Sequence, residues 1–93
     1  MPRRILLADY SELVRHVLQD HLMAEGYDVV VAIDGVDAWE RLNRDGAFDA
    51  IVLDLEMPAM DGREFLARRA GSLFETIPVV AMSAFIAESA ADT

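Results

Sequence analysis

Short, unbroken apolar runs alternate along this chain with segments whose apolar residues recur every three or four positions. Ile5-Leu6-Leu7-Ala8 is the first run; it stops at Asp9 and predicts a buried strand, β1, over 4–8. Val14, Val17, Leu18 and Leu22 follow at helical spacing and predict α1 over 11–25, capped by Asp9 with Glu12 or by Ser11 and closed at Gly26. Val29-Val30-Val31, β-branched throughout, predicts β2 over 28–32. Asp34-Gly35 opens α2 over 35–45, with Val36, Trp39 and Leu42 expected on one face and Gly46 near its end. Ala50-Ile51-Val52-Leu53 predicts β3 over 49–54. Asp61-Gly62-Arg63-Glu64 has capping-box spacing and starts α3 over 62–70, through Phe65, Leu66 and Ala70, with Gly71 as its stop. Ile77 to Met82 predicts β4 over 77–82, and a fourth helix is expected over 86–93.

Continuous apolar strands alternating with amphipathic helices predict an α/β domain, a parallel sheet covered on both faces. Such sheets carry their functional groups at the carboxyl ends of the strands. Those ends supply Asp9 after β1, Asp54 with Glu56 at β3, and Ser83 after β4. In the flavodoxin-like strand order 2-1-3-4, β1 and β3 are neighbours, so Asp9 and Asp54 come together. Two adjacent carboxylates repel unless a cation joins them. Oxygen donors in an incomplete shell suit Mg²⁺, which keeps waters and takes phosphate oxygens. A carboxylate also attacks phosphorus, which makes Asp54 the candidate phosphate acceptor. The metal would offset charge on the transferred group, and the Ser83 hydroxyl would donate to a phosphate oxygen.

Composition narrows the field. With 93 residues the chain is one domain, and 54% apolar content is enough for a packed core. There is no cysteine, hence no disulfide, no thiolate metal site and no sign of an oxidising compartment. The net charge of −9 comes from 8 arginines against 17 acidic residues, with no lysine. A nucleic-acid backbone would repel such a chain. No apolar run approaches the ~18 residues of a membrane span, and the run after Arg3-Arg4 is too short for a signal peptide. A cytoplasmic protein with no direct nucleic-acid or membrane contact is expected.

Several polar residues have ordinary structural explanations. Asp61 reads as a helix cap and Trp39 as a helix-face residue. His16 and His21 lie five apart, which is not the spacing of two ligands on one helix face, and read as surface residues. Asp9 alone would serve as a cap, Ser83 alone as a strand-end turn residue, and Glu56 as a loop charge. Asp54 resists such a reading, because an acid directly after Ile-Val-Leu needs a reason to be buried.

Three segments carry a resemblance to a known family. They are Arg4-Ile-Leu-Leu-Ala-Asp-Tyr-Ser11, Ala50-Ile-Val-Leu-Asp-Leu-Glu-Met-Pro-Ala-Met-Asp-Gly62 and Ile77-Pro-Val-Val-Ala-Met-Ser-Ala84. The chain resembles the receiver domain of bacterial two-component response regulators, from about Arg4 to Phe85. The resemblance implies a three-layer receiver fold in which Asp54 accepts phosphate and Asp9 binds Mg²⁺ directly. It makes the Glu56 backbone carbonyl a further metal ligand. Ser83 matches the switch hydroxyl, and Ala84 the small neighbour that leaves the phosphate room. The implied partner is a sensor histidine kinase or a histidine phosphotransfer protein. Two departures stand out. Ala8 occupies the position of a first acid, and the fifth strand, the fifth helix and the lysine before it have no counterpart. That gap predicts an exposed β4 edge and an uncovered flank of α1, and so either a truncated fragment or a homodimer or element-swapped assembly that covers both.

Two other functions compete. One is a receiver-like interaction or dimerisation module that is never phosphorylated. The other is an aspartate-nucleophile phosphatase of the haloacid-dehalogenase type, suggested by Asp54-Leu55-Glu56. That signature normally follows a first strand and works with a lysine, and neither condition holds here.

Overall fold

The structure, a computed structural model, describes residues 2–82. Ser83, Ala84 and the fourth helix expected over 86–93 lie outside the described residues. Among the described residues the order is β1 Arg4–Ala8, α1 Glu12–Ala24, β2 Asp28–Ala32, α2 Gly35–Asp45, β3 Ala50–Asp54, α3 Gly62–Arg69 and β4 Val79–Met82. The strands form one parallel sheet in the order β2-β1-β3-β4, which is the flavodoxin-like order.

Parallel neighbours need crossovers, and right-handed crossovers in opposite directions along the sheet place α1 on one face and α2 and α3 on the other. The α2/α3 face holds the densest core. Leu6, Ala8, Ala32, Ile51 and Leu53 project there from the sheet and meet Ala38 and Leu42 of α2 and Phe65 of α3. Each fully buried Leu, Ile or Phe contributes about 1.5–3 kcal/mol by leaving water. Trp39 joins α2 to α3, edge-on to Phe65 at 6.0 Å and to Phe74 at 5.8 Å between ring centroids. The Arg68 guanidinium covers its ring at 5.8 Å.

The buried stripe of α2 is Gly35, Ala38 and Leu42, with Trp39 half-buried beside it. Val36 lies off this stripe and is 41% exposed, so the face expected from Val36, Trp39 and Leu42 is rotated. Against the other face of the sheet, α1 contacts β1 and β2 but buries none of its residues fully. Leu13 is 73% exposed, and Val14 and Val17 are exposed as well. Val80 on the edge strand β4 is 59% exposed.

The last strand begins at Val79, two residues later than the apolar run suggests. Ile77 still belongs to the preceding turn, its amide donating to Phe74 O at 3.2 Å, and Pro78 has no amide to give to a ladder. Arg69 at the end of α3 fixes that turn: its Nη2 donates to the carbonyls of Glu75 and Ile77, both at 2.7 Å.

Candidate functional site

The register of β1 against β3 decides where the acids meet. Ile5 pairs with Ala50, Leu6 with Ile51, Leu7 with Val52 and Ala8 with Leu53. Carried one step further, the same register sets Asp9 beside Asp54, at the carboxyl end of the sheet and on one face of it. Asp54 is the last residue of β3, and Asp9 follows β1 with its amide still donating to Ala32 O at 3.2 Å.

Both side chains are held by the same local device. Asp9 Oδ1 accepts the Ser11 amide at 2.8 Å, and Asp54 Oδ1 accepts the Glu56 amide at 2.9 Å. An acid that accepts the amide two residues ahead makes an Asx-turn, which restricts its own rotamer as well as the loop. Ser11 in turn caps α1, its Oγ accepting the Val14 amide at 3.3 Å. Of the two capping schemes open for α1, the structure uses Ser11, with Asp9 bracing the cap.

Burial separates the two carboxylates in a way the strand pattern does not. Asp9 is the buried one, at 5% exposure, whereas Asp54 is only half-buried. The acid that needed a reason to be buried is therefore Asp9. Its burial pushes its carboxyl above the ordinary range, and the charge of Asp54 and a hydrogen bond to it push the same way. The Ser11 amide and the Arg15 guanidinium oppose that shift. In this arrangement one desolvated acid sits against another.

The loop after β3 frames the pair. Met57 and Met60 are buried under it, and Gly62 at the start of α3 donates its amide to Leu55 O at 3.0 Å. Asp61 is the cap of α3, as its spacing suggests, its Oδ1 accepting the Glu64 amide at 2.9 Å. Ala59 in this loop has φ 65°, the only positive φ outside glycine among the described residues. A left-handed conformation costs an L-residue roughly 1–2 kcal/mol. Ala59→Gly is therefore expected to raise stability by about 0.5–1 kcal/mol, after allowing for the freer unfolded chain. A shift of the urea midpoint to higher concentration at unchanged slope would confirm it.

Sequence reasoning overlooked two participants. One is Arg15, whose Nη1 donates to Asp9 O at 2.7 Å and to Tyr10 O at 3.1 Å. The other is Gly35, which packs directly on the Met60 backbone. Both reach the site through tertiary contacts that have no motif of their own. His16 and His21 are exposed and take no part.

Among the described residues no three His, Cys, Asp or Glu side chains gather into a cage. A cation placed here would find two carboxylates, and backbone carbonyls and water would complete its shell. That donor set fits Mg²⁺ better than a cation needing a full protein cage. Among the described residues no helix is long and apolar enough to cross a membrane.

The chain is 41% identical over 81 residues to response regulator MprA of Mycobacterium leprae, covering 87% of this chain and 35% of that protein. It is 33% identical over 79 residues to chemotaxis protein CheY1 of Helicobacter pylori, covering 83% of this chain and 64% of that one. It thus spans about a third of the first relative and somewhat less than two thirds of the second. Among solved structures, response regulator protein TrrA of Thermotoga maritima, in complex with Mg²⁺ and BeF, superposes with a TM-score of 0.81 at 28% identity, covering 88% of this chain and 70% of that one. The response regulator receiver domain profile matches residues 5–93, nearly the full length. With the sheet order and this match in agreement, the chain belongs to the response regulator receiver domain family.

Proposed function

We propose that this chain is a phosphoacceptor receiver module of a two-component phosphorelay, taking a phosphoryl group on Asp54 from a histidine kinase or phosphotransfer protein. The observation that carries the reading is the Asp9–Asp54 pair: a buried acid pressed against a half-exposed one at the carboxyl end of neighbouring strands. A carboxylate oxygen of Asp54 attacks phosphorus, and the P–N bond to the donor imidazole breaks. The departing ring nitrogen keeps the electron pair and takes up a proton. The Glu56 amide on Oδ1 holds the Asp54 carboxylate in one orientation. Asp9, Asp54 and the Glu56 carbonyl would hold Mg²⁺. When bound, that ion supplies positive charge to offset the anionic oxygens of the group in transfer. Ser83 would then donate to a phosphoryl oxygen, and Ala84 would leave it space; these two roles rest on the sequence motif alone. The chain accepts a group rather than turning a substrate over, so we assign it no enzyme activity.

A second reading is a receiver-like module that binds partners without being phosphorylated. The specific observation favouring it is that Asp9 stands alone, flanked by Ala8 and Tyr10, where the family pattern pairs two acids. Association with a second copy along β4 is favoured by the exposure of Val80 on that edge.

Beryllofluoride with Mg²⁺ separates the two. The phosphoacceptor reading expects amide resonances of Asp54, Glu56 and Asp9 to shift on adding it, to return on chelation, and to stay put in Asp54→Asn. An unchanged spectrum of the wild-type protein would leave the partner-binding reading in its place.

A further inference from the structure

We infer that Arg15 is a positioning residue for the cation site: its guanidinium clips the β1–α1 turn so that the Asp9 carboxylate stays facing Asp54. The inference rests on the proposed role of Asp9 as a Mg²⁺ ligand.

The β1 ladder ends at Ala8, whose partners are Ala32 on one side and Leu53 on the other. Beyond it the backbone must turn into α1, and the carbonyls of Asp9 and Tyr10 need other donors. Arg15 supplies them both from a single nitrogen, at 2.7 and 3.1 Å. It is well placed to do so, because its own amide donates to the Ser11 carbonyl at 2.9 Å in the first turn of α1. The side chain thus folds back over the start of the helix onto the two residues before the cap.

Asp9 is consequently held at three points. Its amide is tied to Ala32 O, its carbonyl to Arg15 and its Oδ1 to the Ser11 amide. Bonding the Asp9 and Tyr10 carbonyls to one nitrogen restrains the two peptide planes that follow the Asp9 Cα, which limits the Asp9 backbone and, with the Ser11 amide on Oδ1, the direction of its side chain. A neutral side chain of similar length would lose both bonds. A lysine would keep the charge and its donors on one nitrogen, but on a stem one atom shorter and without the planar group that fixes their directions.

The test is Mg²⁺ titration of Arg15→Met and Arg15→Lys by calorimetry, beside the wild-type chain. Partner groups that orient a metal ligand are worth roughly 10–100-fold in affinity. For Arg15→Met we expect a loss of about tenfold, with Arg15→Lys recovering part of it. The rate of labelling by acetyl phosphate at saturating Mg²⁺ should stay within about twofold of wild type, because Arg15 touches no reacting atom. A Mg²⁺ affinity of Arg15→Met within about twofold of wild type would overturn the inference, whatever happens to its unfolding midpoint. A lowered maximal rate at unchanged affinity would overturn it as well. If the wild-type chain itself binds no Mg²⁺, the role of Asp9 fails first, and that outcome is distinct from a failure of Arg15 alone.

Discussion

Asp9→Asn is expected to make the Mg²⁺-free protein more stable at neutral pH while costing it at least tenfold in Mg²⁺ affinity. The stability gain follows from the environment of Asp9. Burial and the neighbouring Asp54 raise its carboxyl above the ordinary range. A raised carboxyl means that the folded state holds its proton more tightly than the unfolded chain does. Ionising it therefore costs stability: the cost is absent below the unfolded value and grows as pH rises through the interval up to the folded value. Asparagine removes the charge and keeps an oxygen for the Ser11 amide, which Asp9 now satisfies at 2.8 Å. A gain on the order of 1 kcal/mol at neutral pH is in the usual range for a single substitution. The difference between the two proteins should shrink as pH falls toward the ordinary carboxylate range. The affinity loss follows because even partner groups one step removed from a metal cost about tenfold or more, and Asp9 is proposed as a direct ligand. Urea unfolding at two pH values and a Mg²⁺ titration check both halves. A destabilised Asp9→Asn at neutral pH would mean that the carboxylate is a structural hub and not a strained functional group.

A second large effect is expected at Gly35. A Cβ built on this residue would lie 2.0 Å from the Met60 carbonyl oxygen and 2.8 Å from the Met60 carbonyl carbon and Cβ. The first turn of α2 therefore rests on the loop that frames the acid pair, and backbone cannot yield as a flexible side chain would. Gly35→Ala should cost about 2–3 kcal/mol, the upper part of the range for overpacking. Gly62 makes the corresponding approach beside Asp54: its Cβ would lie 2.5 Å from both Asp54 O and Leu55 Cα. Val36→Ala is the control, one residue along and exposed, with an expected cost of about 0.5 kcal/mol or less. Urea unfolding followed by the fluorescence of Trp39, the single tryptophan, gives the comparison. Equal costs at Gly35 and Val36 would show that the loop moves freely away from α2.

The apolar runs and their punctuation made the sheet legible. Each strand is apolar enough that its composition gives it away, and Asp34, Asp61 and Ser11 act as caps at the positions their spacing suggests. The candidate acids were legible too, because they end apolar strands. Their meeting depends on the pairing of β1 with β3, which the strand order supplies. Burial was not legible to the same degree. Whether a strand-end acid is covered depends on how the following turn folds back, so Asp9 turned out buried and Asp54 half-exposed. The stripe of α2 was misread because Gly35 and Ala38 are too small to mark a face by hydrophobicity, yet small size is what lets α2 sit close to Met60. Arg15 passes in sequence for one more charge on an exposed helix, and only the folded turn brings its guanidinium to Asp9 O.

Phosphoryl transfer to Asp54 is the central claim, and labelling followed by intact mass tests it most directly. The chain is incubated with acetyl phosphate, with and without Mg²⁺, and the modified peptide is located. The expected result is a gain of one phosphoryl group that requires Mg²⁺, maps to the peptide containing Asp54, and is lost in Asp54→Asn. A wild-type chain that gains no mass in the presence of Mg²⁺, or one that gains it equally in Asp54→Asn, would contradict it.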